Sequence, residues 1–348
     1  MSSLTEVAYA SRRVIKFGGV GLIAFLFFWW GLTSAIKAYQ KAHPAYVAPT
    51  TYFGVLPKIV FPDKSFTKKT FTVQMPNDNL PTFSDQANVY VIYRSKSVLG
   101  ALAENTKTAV LLGFNGDPSE VSTGVYQFDD KVTNKSLVMN VLENSFKLSY
   151  PYLSDQLLQN PDAMPSKEGA IALAKNFLTQ GNLLSDDLDN GTQKVSYWKI
   201  NYSGLLAVNS QSEADITRID FFRKNLDNNL SIVSDEVGKA SVSVLVSGSS
   251  VVAKKIVEVN YKHIDIDTSA TSKSTYPIIS TKEAVANLQS GNYWPANDTT
   301  ANNVIVRNIY LAYFEPVDLT QFLEPIYVFE GDGGFVAYVR AITDKYAK

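Results

Sequence analysis

Few residues in this chain have side chains that support nucleophilic or metal-assisted chemistry. The 348 residues include no cysteine and two histidines, His43 and His263. The lack of cysteine excludes disulfides, thiol catalysis, iron–sulfur clusters and the common structural zinc sites. Two histidines are too few for a multi-histidine metal site, so any catalysis would depend on carboxylates, hydroxyls or lysines. We predict no cofactor and no metal site.

One histidine lies in an acidic segment. His263 belongs to residues 261–267, Tyr-Lys-His-Ile-Asp-Ile-Asp, in which polar and apolar residues alternate. In a β-strand this alternation places His263, Asp265 and Asp267 on one face, where together they could hold a cation. The solvent-exposed face of a half-buried strand has the same pattern, and we favour that interpretation.

Three further motifs resemble sites without completing one. Asp186, Asp187 and Asp189 lack the glycine and glutamate spacing of a calcium loop, so we predict a solvated loop. Ser65 and Lys68 have the Ser-x-x-Lys spacing that can bring a lysine amine near a serine hydroxyl, but the companion motifs Lys-Thr-Gly and Ser-Asp-Asn are missing. The run Gly-Asp-Gly-Gly at 331–334 precedes a strand-like segment, which predicts a hairpin rather than a phosphate site at a helix N-terminus.

The N-terminal region predicts a membrane anchor. Residues 17–36 read FGGVGLIAFLFFWWGLTSAI and contain no charge. As a helix they would span about 30 Å, the thickness of the hydrocarbon core of a bilayer. Basic residues 12, 13 and 16 precede this stretch, so we predict a short cytoplasmic segment, 1–16, and an extracytoplasmic body on a single-pass protein of the cell membrane. A cleaved signal peptide is the alternative, but its apolar region would be shorter.

The charge of the predicted body argues against nucleic acid as a partner. The whole chain carries a formal net charge of −1. Residues 42–348 hold 27 basic and 32 acidic side chains, a net charge of −5. This mild acidity repels phosphate backbones, so the expected contacts are membrane lipid, through residues 17–36, and protein.

Beyond the anchor, the pattern is a Pro-containing tether followed by repeated combinations of one helix and several strands. The tether covers 37–70, and its apolar residues around 53–62 should pack against the globular part. Predicted helices cover 96–112, 166–178 and 281–290, with N-caps at Ser166 and Ser280 and glycines at their C-terminal ends. We therefore predict an α+β fold with helices laid on antiparallel sheets, in modules 71–155, 156–277 and 278–348.

Two stretches resemble known families. The start of the second helix, Ser-Lys-Glu-Gly-Ala-Ile at 166–171, looks like the opening of a PepSY-type module. The segments 323–331 and 334–342 resemble the terminal hairpin of YycH/YycI-type accessory proteins, which regulate membrane sensor kinases. The resemblance implies a single-pass bacterial membrane protein built from PepSY-like modules, with a binding or regulatory role and no shared chemistry.

Aromatic residues concentrate near the C-terminus. Alternate residues of a strand face opposite ways, so some of these rings could be exposed to a partner. If instead both faces of the sheet are covered, the same rings belong to the core. The candidate partner surface consists of Tyr310, Tyr313, Phe314, Tyr327, Phe335 and Tyr338.

Together these patterns predict a non-enzymatic protein that binds another envelope protein, such as a sensor kinase or a peptidase. Two alternatives remain open. One is an envelope hydrolase that uses two carboxylates in a cleft, one of them in an apolar pocket that raises its pKa. The other is a structural surface protein that associates laterally through exposed strand edges.

Overall fold

The fold is described from a computed structural model. The description covers residues 4–42, 47–92, 98–159, 164–227, 229–315 and 321–348. The chain divides into two compact units, Met1–Ala48 and Pro49–Lys348, and each is described by itself.

The first unit is one long helix, α1, over Leu4–Ala42. Its segment Phe17–Tyr39 has a mean hydropathy of 1.8, and none of that segment is buried inside the protein. At about 1.5 Å per residue this segment is long enough to cross a membrane. Large side chains such as Phe27 and Trp30 are exposed around the helix, which suits contact with lipid and not with water. The predicted apolar helix is confirmed.

The second unit contains four α-helices, five short 3-10 helices and eighteen strands within the described residues. The α-helices are α2 Val98–Leu111, α3 Lys167–Gln180, α4 Asp186–Asp189 and α5 Thr281–Ser290. The strands are β1 Thr70–Val73, β2 Gln86–Ile92, β3 Ser119–Ser122, β4 Val125–Asp130, β5 Lys135–Asn140, β6 Ser145–Ser149, β7 Thr192–Asn201, β8 Gly204–Val208, β9 Ile216–Phe222, β10 Ser231–Val233, β11 Val242–Ser247, β12 Ile256–Lys262, β13 Ile266–Asp267, β14 Lys273–Pro277, β15 Trp294–Asn297, β16 Asn303–Phe314, β17 Phe322–Gly331 and β18 Val336–Arg340.

The strands form two nine-stranded sheets. The first sheet has the order β1-β16-β17-β18-β15, with β10 beside β16, β2 beside β17, and β13 and β14 beside β2. The second sheet has the order β3-β4-β5-β6-β12-β11-β9-β7-β8. A mixed fold with large, mostly antiparallel sheets is therefore confirmed. Repeated PepSY modules are not confirmed, because the strands that follow α2 and α3 share the second sheet.

Each sheet buries an apolar face under its helices. In the second sheet, Phe128, Leu148, Phe221 and Val244 pack in one cluster with Ala109 of α2 and with Ala170, Ala174 and Leu178 of α3. In the first sheet, Tyr327, Phe329 and Phe335 pack with Ala284 and Leu288 of α5. Small residues on the buried side of α3 and α5 bring each helix close to its sheet.

The helix caps and the hairpin turn that the sequence predicts are confirmed. The hydroxyl of Ser166 accepts a hydrogen bond from the amide of Gly169, and that of Ser280 accepts one from Glu283. Gly291 ends α5 in the left-handed conformation, at a φ of 94°. The predicted hairpin at 331–334 joins β17 to β18, and Gly333 and Gly334 supply its positive φ angles.

The predicted tether, 37–70, is divided: residues 37–42 continue α1, and the residues from Pro49 onward pack within the second unit, as their apolar residues predicted. Leu56 and Ile59 are buried, and Leu56 forms a bridge with Ala347. The guanidinium of Arg340 donates two hydrogen bonds to the carbonyl of Ile59 and lies over the ring of Phe61. The tether residues from Pro49 onward are therefore part of the folded body.

Candidate functional site

The second sheet has a polar face on the side opposite α2 and α3. One row of paired residues crosses four strands: Lys147 pairs with Asn260, Asn260 with Ser243, and Ser243 with Asp220. Lys262 and Ser145 form a neighbouring pair on the same face. Antiparallel sheets commonly bury one face and present the other to solvent or to a ligand. The polar row therefore marks the face on which a partner can be recognised.

A cleft of about 770 Å³ lies over this polar face. Its base is formed by strands of the second sheet, and the segment 234–241 forms a wall. The strand that precedes this segment, β10, pairs with β16, so the first sheet holds that wall in place. Polar side chains that line the cleft include Asn140, Lys147, Arg218, Asn260, Lys262 and Glu315.

Arg223 ties the two sheets together at this cleft. Its side chain is 3% exposed, and it follows the last residue of β9 in the second sheet. Its Nε lies 2.6 Å from Oδ2 of Asp187, and its Nη1 lies 2.7 Å from Oε1 of Glu315, the residue that follows β16 in the first sheet. Its Nη2 donates to the carbonyl of Ile264. One buried cation thus joins three segments of the chain.

The protonation states favour this ionic junction. Burial by itself would lower the pKa of Arg223, but the charges of Glu315 and Asp187 raise it overall. Burial by itself would raise the pKa of Asp187, but the hydrogen bond from His263 and the charge of Arg223 outweigh it and hold the pKa well below its usual range. Asp187 is therefore an ionised hydrogen-bond acceptor at neutral pH.

Ser185, His263 and Asp187 lie together but do not have the geometry of a catalytic triad. Nε2 of His263 lies 3.0 Å from Oδ1 of Asp187 and 3.2 Å from Oγ of Ser185. The hydroxyl of Ser185 donates to Asp187 at 2.5 Å. A triad uses one imidazole nitrogen for the serine and the other for the acid. Here Nε2 faces both groups, and Nδ1 lies 3.7 Å from Oδ1 of the exposed Asp265, beyond hydrogen-bond distance, so Asp187 does not have the position of a triad acid.

Two sequence interpretations are corrected by this cluster. His263 is not on a solvated face, because it is 1% exposed, whereas the side chain of Asp265 is largely exposed, with its Oδ1 3.7 Å from Nδ1 of His263. Asp187 is not a solvated loop residue, because it lies in the short helix α4 and contacts Arg223 and His263. Asp186 and Asp189 are exposed, as predicted. Within the described residues, no cluster of His, Asp and Glu suited to a metal ion is found.

A second polar group ties the segment after β9 to the first sheet. The carboxylate of Asp227 accepts hydrogen bonds at 2.6 Å from the hydroxyls of Tyr90 and Tyr313 and at 2.8 Å from the amide of Asn88. Burial and the Asp227 carboxylate both raise the pKa of Tyr90 and of Tyr313, so these hydroxyls remain donors. Arg223 and Asp227 therefore hold both ends of a short crossing segment.

Glu324, in β17, is a buried acid outside the cleft. It is 4% exposed, and burial raises its pKa to about 8, against a smaller lowering by the charge of Arg340. A raised pKa is one property that the hydrolase alternative requires of its acid. However, a general acid must reach its substrate, and Glu324 is not among the residues that line the described cavities.

The predicted aromatic partner surface lies in the interior. Tyr313, Phe314, Tyr327, Phe335 and Tyr338 are all buried. Tyr310 is partly buried, and its hydroxyl donates to Glu330. The alternative that both faces of the sheet are covered explains why these rings are buried. They pack against the tether, against α5 and against residues 226–232, which follow β9. They do not form a surface that is open to a partner in this structure.

The remaining candidate residues form no reactive site within the described part of the chain. Ser65 and Lys68 are exposed in a segment without a helix, so the hydroxyl and amine are not brought together by a helical turn. His43 lies outside the described residues. Arg223 and Glu315 of the cleft junction, and Asp227 of the second polar group, were missed because each is a single charge at the end of a strand or in a turn, with no local pattern around it.

No protein-family model and no curated protein matches this chain. Among solved structures, the chain is similar to an uncharacterized protein from Eubacterium rectale, at 14% identity and a TM-score of 0.40, over 76% of this chain and 84% of that one. It is also similar to the YpeB C-terminal domain of Bacillus megaterium, at 13% identity and a TM-score of 0.29, over 69% of this chain and 92% of that one. Scores this low do not establish a shared fold.

Proposed function

We propose that this is a single-pass membrane protein whose body lies outside the cytoplasm and binds another envelope protein without catalysing a reaction. The observation that carries the proposal is the cleft between the second sheet and the segment 234–241, which has polar and apolar lining residues, in a chain that also holds an apolar helix long enough to cross a membrane. A protein held at a membrane meets its partners in two dimensions, which favours a role in binding.

The chemistry of the cleft suits a polar segment of a partner protein. Its lining combines amides, hydroxyls and charges of both signs, and the charged groups Arg223 and Glu315 are already paired. Asn260 is exposed, and its amide, which donates one hydrogen bond to Oε1 of Glu258, has a second N–H that can pair with the backbone or polar side chains of a peptide. Ordered walls reduce the conformational entropy that binding would otherwise cost.

The orientation and the partner class come from sequence. Basic residues 12, 13 and 16 precede the apolar stretch, which favours an orientation with the body outside the cytoplasm. The resemblance of the terminal hairpin to YycH/YycI-type proteins suggests the sensor domain or transmembrane helix of a kinase as partner. The order of one helix followed by several strands, seen after α2, α3 and α5, is the order expected of PepSY-like modules.

Site-specific photocrosslinking in native membranes tests the proposal. A photoreactive residue replaces Asn260 inside the cleft and, as a matched control, Val132, which is exposed at a hairpin on the same sheet. The expected result is a protein adduct from position 260 that is absent from position 132 and reduced when Ser243 is replaced by Arg to fill the cleft. Equal labelling at the two positions, or adducts to lipid alone, would refute a binding role for the cleft.

Protease protection tests the orientation separately. Protease added to intact cells should degrade the body, which contains residues 49–348. Protection of the body in intact cells, followed by its loss after permeabilisation, would place it in the cytoplasm and exclude an extracytoplasmic partner.

A further inference from the structure

The edge strand β8 has no feature that prevents it from pairing with another strand. It is the last strand of the second sheet and pairs only with β7 within the described residues. Its sequence, Gly-Leu-Leu-Ala-Val over 204–208, contains no charge and no proline, and its pairing with β7 has no register shift. Leu206 is 56% exposed, and Ala207 is also exposed. Unprotected edges of this kind are templates for strand addition.

The opposite edge of the same sheet shows the usual protection. The edge strand β3 is four residues long, contains Glu120 and has a register shift between Glu120 and Ser122. Charges and bulges are among the features by which natural proteins block edge pairing, and β8, which at five residues is nearly as short as β3, has neither. The two edges of this sheet therefore differ, since β3 is protected against pairing and β8 is not.

The backbone of β8 has donors and acceptors available for a partner strand. The turn Tyr202-Ser203 joins β7 to β8, and Asn201 pairs with Gly204 across it. In an antiparallel hairpin with this loop, the pair next to the turn is hydrogen-bonded, and bonding then alternates along the strands. The amide and carbonyl groups of Leu205 and Ala207 therefore point away from β7, towards the open edge.

We propose that β8 pairs antiparallel with β8 of a second copy of this chain, giving a symmetric dimer. The partner edge must supply backbone hydrogen bonds and an uncharged, apolar strand, and β8 of another copy supplies both. Antiparallel pairing about a two-fold axis satisfies the two identical β8 edges at once and leaves neither β8 open, while the remaining edge of each sheet, β3, is protected. The inference does not depend on what the cleft binds.

Charge variants at the edge test the dimer with the full-length protein in detergent micelles. Ala207→Lys and Ala207→Glu each place like charges near each other across the two-fold axis, and each should raise the dimer dissociation constant about tenfold or more in sedimentation experiments. Mixing the two variants should restore a dimer, because the charges are then opposite. The same substitutions at Val121, which is exposed on β3, should leave the dimer unchanged.

Single-cysteine crosslinking tests the register. Because the native chain has no cysteine, Leu205→Cys, Leu206→Cys and Ala207→Cys each provide one thiol, and Val121→Cys is the control. Opposed residues of an antiparallel pair lie within disulfide range, so at least one β8 variant should form a covalent dimer on oxidation, and the control should not. A monomer at all concentrations, a dimer insensitive to both charge variants, or equal crosslinking at position 121 would overturn the proposal.

Discussion

Burial of Glu324 should make the free energy of unfolding decrease as pH rises from 4.5 to about 8. The side chain is buried in β17, and its pKa is about 8 in the folded protein against 4.5 for an exposed glutamate. The folded state therefore keeps a proton that the unfolded state releases above pH 4.5. Stability linked to this group is fully present below pH 4.5 and is lost as pH rises to about 8.

The substitution Glu324→Gln removes this ionisation and keeps the size of the side chain. At pH 7 the solution is two and a half pH units above the pKa of 4.5 of the unfolded carboxyl. Each unit of ionisation stabilises the unfolded wild-type protein by about 1.4 kcal/mol, so the variant should be more stable by about 3 kcal/mol. At pH 5 the difference should be below about 1 kcal/mol, and above pH 8 it should stay constant.

Urea unfolding of residues 49–348 between pH 5 and pH 9 measures this difference directly. This fragment contains all of the described hydrophobic clusters. Glu104→Gln is the control, because Glu104 is exposed on α2 and should show no difference that depends on pH. Parallel stability curves for the wild type and Glu324→Gln across the whole range would show that Glu324 ionises normally, and the reasoning from burial would be refuted.

Three further predictions concern the junction and the helices. Glu315→Ala should cost about 3 kcal/mol in urea unfolding, because it removes a buried partner of Arg223, whereas Asp220→Ala, which breaks the more exposed pair with Arg218, should cost at most about 1 kcal/mol. Asp187→Asn should destabilise the protein at pH 7. The difference in unfolding free energy from the wild type should shrink as pH falls below about 4, because the low pKa of Asp187 stabilises the folded state only while the unfolded carboxyl is ionised. A difference that stays constant with pH would contradict this. Ser166→Ala and Ser280→Ala should each cost about 1 kcal/mol in thermal or urea unfolding through loss of an N-cap, and no loss at either site would contradict the capping contacts.

Features that depend on neighbouring residues were predictable from the sequence. The apolar helix, the N-caps at Ser166 and Ser280 and the hairpin at 331–334 are set by hydropathy, side-chain capping and backbone dihedral preferences within a few residues. The mixed class of the fold follows from helix and strand periodicities in the same way.

The arrangement of strands into sheets was decided by tertiary structure. The segment between β9 and β11 leaves the second sheet, adds β10 to the first sheet and then returns. Strands β13 and β14 likewise leave β12 to pair with β2. A strand sequence records alternation and apolar content, but not which distant edge it will pair with, so the cleft formed by this crossing has no signature in the sequence.

The same distinction separates the residues that were interpreted correctly from those that were not. A single histidine or aspartate has the same local pattern whether it is solvated or buried. His263 is buried and Asp187 is partly buried where Arg223, itself paired with Glu315, approaches from another part of the chain. The sequence by itself determined the apolar helix, the helix ends and the turns, since their energetics are local. Tertiary structure alone decided the buried ionic junction and the cleft above it, because burial of charge depends on partners that are remote along the chain.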